Sequence, residues 1–160
     1  MKQLSQEEIS ELSLAKDLRA RARTSISFAD NHLGNAERLT NASQFDEASD
    51  ELGRYQSVFE EAFHYLDNLH DKGNRTRDAY KRMELALREH VSRIETIRRS
   101  TPVEYAVNIK HLGEFVRAAR EHALNSFYGE TVLREQAPEQ KNKNSEHDKS
   151  PTGNFGPKLP

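Results

Sequence analysis

From Phe45 to Leu69 the chain sets an apolar residue at every third or fourth position without a fault: Phe45, Ala48, Leu52, Tyr55, Phe59, Ala62, Leu66 and Leu69. Steps of three and four gather side chains on one side of an α-helix but scatter them over both sides of a β-strand. The stretch is therefore a helix with a coiled-coil-like seam, and a seam of this length needs other helices against it. The expected fold class is all-α: an antiparallel four-helix bundle built of helical hairpins, with a disordered C-terminal tail.

Local signals set the boundaries of the four helices. Ser5 with Glu8 three residues on is a capping box, and it starts a first helix expected over 5–42. Leu18, Ala22, Ile26, Ala29, Leu33 and Ala36 carry its apolar face. At about 57 Å this helix would exceed its neighbours, so it must overhang the bundle or bend at Gly34. Ser43 is expected to cap the second helix, over 45–71, with Asp46 in its first turn.

Asp71-Lys72-Gly73-Asn74 reads as a stop, with Gly73 in the left-handed conformation that ends many helices. Leu69, Gly73, Thr76 and Tyr80 nevertheless continue the spacing across it, so one helix over 45–99, about 80 Å long, stays open as an alternative. The third helix, over 75–99, has the stripe Tyr80, Met83, Leu87, Val91, Ile94 and Ile97. Thr101-Pro102-Val103-Glu104 combines an N-cap, a first-turn Pro and an acidic third position, which starts the fourth helix, over 102–128. Its face is Ile109, Leu112, Val116, Ala119, Ala123 and Phe127; Gly113 on the flank permits close approach, and Gly129 terminates it.

Beyond Gly129 the residues are mostly Gln, Lys, Asn, Glu, Ser and Pro, too polar to offset the entropy of ordering them. The expected division is a helical bundle domain over 1–130 and a disordered polar tail over 131–160. The sequence has no cysteine, which removes disulfides, thiolate metal sites and cysteine nucleophiles. Met1–Glu8 lacks the apolar region of a secretion signal, and no stretch approaches the roughly 20 apolar residues of a membrane span. A cytoplasmic protein that does not enter membranes is expected.

Charge is distributed unevenly behind a net value of -2. Residues 45–71 hold eight acidic side chains against Arg54, whereas residues 75–99 hold eight basic ones against four acidic. The simplest account is that these two helices pack as neighbours, their opposite charges guiding the pairing. Helix 75–99 lacks a dense basic patch with interleaved exposed aromatics, so nucleic acid is not an expected partner.

Candidate chemistry is sparse. Glu61-Ala62-Phe63-His64 has the Glu-x-x-His spacing of dimetal bundles, but Phe59, Ala62 and Leu66 on the seam put His64 at the outermost position, and no second copy occurs. His32, His90 and His122 lie on or beside three seams, where each is expected to be a partly buried residue with its own hydrogen bond. Glu60, His64 and Asp67 share a face that reads as a charged outer stripe. His32-Leu33-Gly34 only approaches the His-to-Gly spacing of phosphotransfer bundles, and the tetratricopeptide-like halves at His32–Ala36 and Gln44–Ala48 are too far apart and unrepeated. Phosphate loops, nucleophile elbows and zinc motifs are absent.

No residue is therefore assigned a catalytic, cofactor-binding or metal-binding role, and no cofactor is expected. The expected function is a non-catalytic helical protein–protein interaction or adaptor module, with a protein partner or self-association. Its rivals are a histidine-based metal or phosphotransfer bundle and a nucleic-acid-associated regulator using helix 75–99. Phe63 and Tyr65 broaden the apolar side of helix 45–71, either because the other helices surround it or because it meets a partner.

Overall fold

The computed structural model describes residues 1–15 and 17–136, with side chains through Gly129. It contains α1 (Gln6–Leu14), α2 (Leu18–Asn41), α3 (Phe45–Asp67), α4 (Asn74–Ser100) and α5 (Ala106–Gln136), with a single 3-10 turn at Val103–Tyr105 before the last. The expected tail from 137 lies outside the described residues. The expected domain boundary at 130 falls inside α5, which runs through Gly129 without a stop. A helix-interior glycine costs only about 1 kcal/mol, too little to end a helix by itself.

The capping box at the start of α1 forms in both directions: Glu8 N–H donates to Ser5 Oγ at 3.2 Å and Ser5 N–H to Glu8 Oε2 at 2.9 Å. The single first helix does not form. It ends at Leu14, and Asp17 then caps α2 by accepting the Ala20 N–H at 2.7 Å. A short carboxylate that satisfies a first-turn amide makes a helix start. Gly34 sits in unbroken α2.

The α2–α3 turn also differs from expectation. Ser43 is not an N-cap; it has φ 59 and closes α2, with Ser43 N–H on the Thr40 carbonyl and Gln44 N–H on that of Leu39. This is the Schellman closure, with serine where glycine is usual. Gly73, by contrast, has φ -68 and is the N-cap of α4. The loop before it is held by side chains: Lys72 Nζ donates to the Leu66 and Asp67 carbonyls at 2.8 and 3.0 Å, and Gly73 N–H to Asp71 Oδ1 at 2.8 Å. A single helix over 45–99 is thereby excluded. Thr101 likewise looks backward, its Oγ1 donating to the Ile97 carbonyl at 2.6 Å to close α4, so α5 starts later than expected, at Ala106.

The four long helices form a bundle of two hairpins. In each hairpin the helices are antiparallel, as Arg21–Glu61 and His32–Glu51 show for α2 with α3, and Arg77–Phe127 and Glu84–Arg120 for α4 with α5. Across the seam between hairpins, α2 lies beside α4 and α3 beside α5, each pair parallel: Asp30 meets His90 and Glu37 meets Arg93, while Ser49 meets Asn108 and Asp67 meets His122. Helices α3 and α4, expected as charge-matched neighbours, are thus diagonal: their backbones rarely approach, and they meet across the core through Tyr55 with His90, Asp67 with Tyr80 and Phe63 with Tyr80 rather than through opposite charges. Cations of α4 serve other helices instead, Arg93 pairing with Asp30 and Glu37 of α2.

The core follows the seam. Ala48, Leu52, Tyr55, Phe59, Ala62 and Leu66 are buried, and so are Val58 and Phe63 beside them, because α3 is enclosed by α2, α5 and the N-terminal segment. That segment crosses α3 at Gly53, where an added Cβ would come within 2.7 Å of the Lys2 backbone. Leu4 is buried there, and its N–H donates to Ser57 Oγ at 3.3 Å. Leu18, Ile26, Phe45, Leu69 and Phe127 of the expected faces are half-buried, and one, Val91 of α4, is 43% exposed.

Candidate interaction groove

The histidines singled out by the sequence enter three separate networks. His32 of α2 bridges two carboxylates, Nδ1 to Glu51 Oε2 at 2.7 Å and Nε2 to Glu8 Oε1 at 2.8 Å, which fastens α1 and α3 to α2. Burial works against the Glu8 carboxylate, but its Ser5 hydrogen bonds and the His32 ring prevail and hold its pKa below the usual value. His90 of α4 lies between Tyr55 Oη at 3.1 Å and Asp30 Oδ1 at 2.9 Å. Burial pushes the His90 pKa down and that of the Tyr55 hydroxyl up, so at neutral pH the pair is an uncharged hydrogen-bonded strut.

His122 of α5 reaches Asp67 at 2.9 Å, and the Tyr80 hydroxyl donates to the same carboxylate oxygen. Phe63, Tyr80 and His122 pack edge and face around that contact. The Glu-x-x-His pair diverges: Glu61 faces Arg21, whereas His64 is exposed beside Asn68. Glu60 accepts from Gln56 on its own helix. Among the described residues no three His, Asp or Glu side chains converge as a metal site would require. The histidines and their carboxylates tie helix to helix, each ring engaged by groups of the fold itself.

An open concavity occurs elsewhere, between the end of α4 and the start of α5. This groove of about 880 Å³ has Ile94, Ile109 and Val116 at its base and Val91, Val103 and Val107 along its lips. The connection at Ser100–Tyr105, with the closing Thr101 bond and the 3-10 turn, joins the two helices beside it. Gly113 lies in the wall, and a Cβ there would meet nothing within 4 Å. The glycine expected to permit close helix approach instead leaves space unfilled.

The rim is basic. Arg98, Arg99, Lys110, Arg117 and Arg120 stand around the groove against Glu95 and Glu114. Arg98 and Arg99 hydrogen-bond Glu95, and this pulls its carboxyl down to about 2. Arg120 is held by the buried Glu84 at 3.0 Å. Lys110 and Arg117 have no ion-pair partner among the described residues. Val103 and Val107, beside these cations, are 80% and 60% exposed.

The sequence reading gave α5 one apolar face and so passed over this surface. The signal was present: Val103, Val107, Leu124 and Tyr128 fall at helical spacing on a second stripe, opposite Ile109, Leu112 and Val116. No known family matches the chain, and comparison with curated proteins and with solved structures finds no match to either.

Proposed function

We propose that this chain is a non-catalytic helical protein–protein interaction module whose docking surface is the groove between α4 and α5. The observation that carries this reading is the clustering of exposed large apolar residues, Val91, Val103 and Val107, around one groove with a cationic rim. Apolar side chains at the centre and charged ones at the edge make the anatomy of a protein interface. The wide side of α3, the other surface considered, is covered by the bundle.

The test places a photoreactive residue at Val107 in the full chain, with the same residue at exposed His64 of α3 as the control, in cells that make the protein. Polypeptide adducts are expected from position 107 and not from 64, and Gly113→Leu, which fills the groove, should suppress them. Adduct yields at 107 no higher than at 64 would overturn the reading.

A further inference from the structure

The solvent side of α5 carries a stripe that begins with Val107, just after Val103 of the preceding 3-10 turn, and ends with Leu124 and Tyr128. Between them stand Lys110, Glu114, Arg117 and Glu121, all at steps of three and four and all exposed. Val103, Val107, Lys110, Glu114 and Arg117 also line the groove, so the stripe extends it along the helix. The apolar members are 80, 60, 37 and 52% exposed in chain order, far from the packed Ile109, Leu112 and Val116 face.

The order of residues in this stripe is complementary to its own reverse. Reflected about a point between Phe115 and Val116, Val103 falls opposite Tyr128 and Val107 opposite Leu124. Lys110 falls opposite Glu121, and Glu114 opposite Arg117. Apolar meets apolar and each cation meets an anion at all four positions. This is what a twofold axis demands, because in an isologous interface residue i meets j of the partner and j meets i. Lys110 and Glu121 are about 16 Å apart along one helix, so they can pair only between two chains.

Within the chain these charges are little used. Among the described residues Glu114 pairs with His111 alone, at 3.4 Å, and Lys110, Arg117 and Glu121 form no ion pair. The i,i+4 pairs Lys110–Glu114 and Arg117–Glu121, which would mark an ordinary solvated face, are not made.

We infer that two copies of this chain dimerise through α5, the two helices packing antiparallel along the stripe about a twofold axis opposite Phe115 and Val116. The second copy's α5 covers the groove and shields Val91, Val103 and Val107 from water. The inference rests on the reading of the groove as a docking surface and names its occupant.

Sedimentation equilibrium of the full chain tests it, with Lys110→Glu, Glu121→Lys and the two together. Each single reversal puts two like-charged contacts into the dimer and should raise its Kd about tenfold or more, whereas the double reversal should return it to within about threefold. That rescue cannot arise inside one helix, since in the double variant position 110 is like-charged with Glu114 and position 121 with Arg117. Because the sequence has no cysteine, Val107→Cys and Leu124→Cys chains can also be mixed and oxidised. A disulfide-linked dimer is expected from the mixture and not from either variant alone, where like positions lie about 25 Å apart along the axis.

A chain that stays monomeric at about 100 µM, far above the range of stable dimers, would overturn the inference. So would a dimer indifferent to Lys110→Glu, a double variant no better than the singles, or equal cross-linking from one cysteine variant alone. If the chain is monomeric while Val107 still forms adducts with another protein, the second-copy inference falls and the docking reading stands. If neither occurs, both fall.

Discussion

Arg21 of α2 holds Glu61 of α3 in an ion pair, while its guanidinium lies 3.8 Å from the centroid of the Tyr65 ring and donates to the Leu12 carbonyl at 3.1 Å. The acidic helix α3 is thus matched by α2 rather than by the basic helix that follows it. Glu61→Lys should destabilise the fold by about 1 to 3 kcal/mol, since both partners are largely shielded from solvent. Arg21→Glu on that background should restore part of the loss, whereas Arg88→Glu on α4 should restore none. Urea unfolding of the wild type and the three variants measures both outcomes.

The seam makes a sharper contrast between two neighbours on α3. Phe59 is fully buried, edge-on to Tyr55 and stacked with Phe63, whereas His64 is exposed. Phe59→Ala should cost about 3 to 5 kcal/mol, and His64→Ala less than about 0.5 kcal/mol. Equal losses in denaturant midpoints would contradict the packing.

Ser43 occupies the left-handed region at the end of α2, where a side chain costs about 1 to 2 kcal/mol. Glycine removes that strain but adds freedom to the unfolded chain, so Ser43→Gly should stabilise by about 0.5 to 1 kcal/mol net. Ser43→Val should instead lower the melting temperature.

His90 gives the fold a pH dependence of definite sign. Burial lowers its folded pKa below 6.5, against the opposing pull of Asp30, with Tyr55 and Arg93 also facing the ring. Between that lowered value and 6.5 the unfolded chain binds the additional proton, so stability falls with falling pH, by at most about 1.4 kcal/mol per unit. The melting temperature should drop between pH 7.5 and pH 5.5, and His90→Gln should flatten the drop. Glu8 and Glu37, whose folded pKa values are depressed, contribute stability above about 4.5 that is lost only in more acidic solution.

The sequence by itself determined the helices whose signals are local. The Phe45–Leu66 seam identified α3 and its core because periodicity is a property of one helix, and Ser5 with Glu8 located the start of α1 because a capping box closes within four residues. The break before α4 was legible at Gly73 for the same reason, although its backbone conformation was not. Cap identity was less secure, since Asp17, Ser43 and Thr101 can each bond forward or backward along the chain.

Only the tertiary structure decided which helices touch. Charge totals favoured α3 against α4, yet exposed pairs contribute about 0 to 1 kcal/mol each, whereas burying a large apolar side chain contributes about 1.5 to 3. Burial of Tyr55, Phe59, Leu87 and Leu112 therefore sets the arrangement, with α3 diagonal to α4, and the ion pairs form between whichever neighbours result. The groove has the same origin. Val91 has the spacing of a core residue but lies at the groove between α4 and α5, and how two helices pack is not a property of either sequence segment.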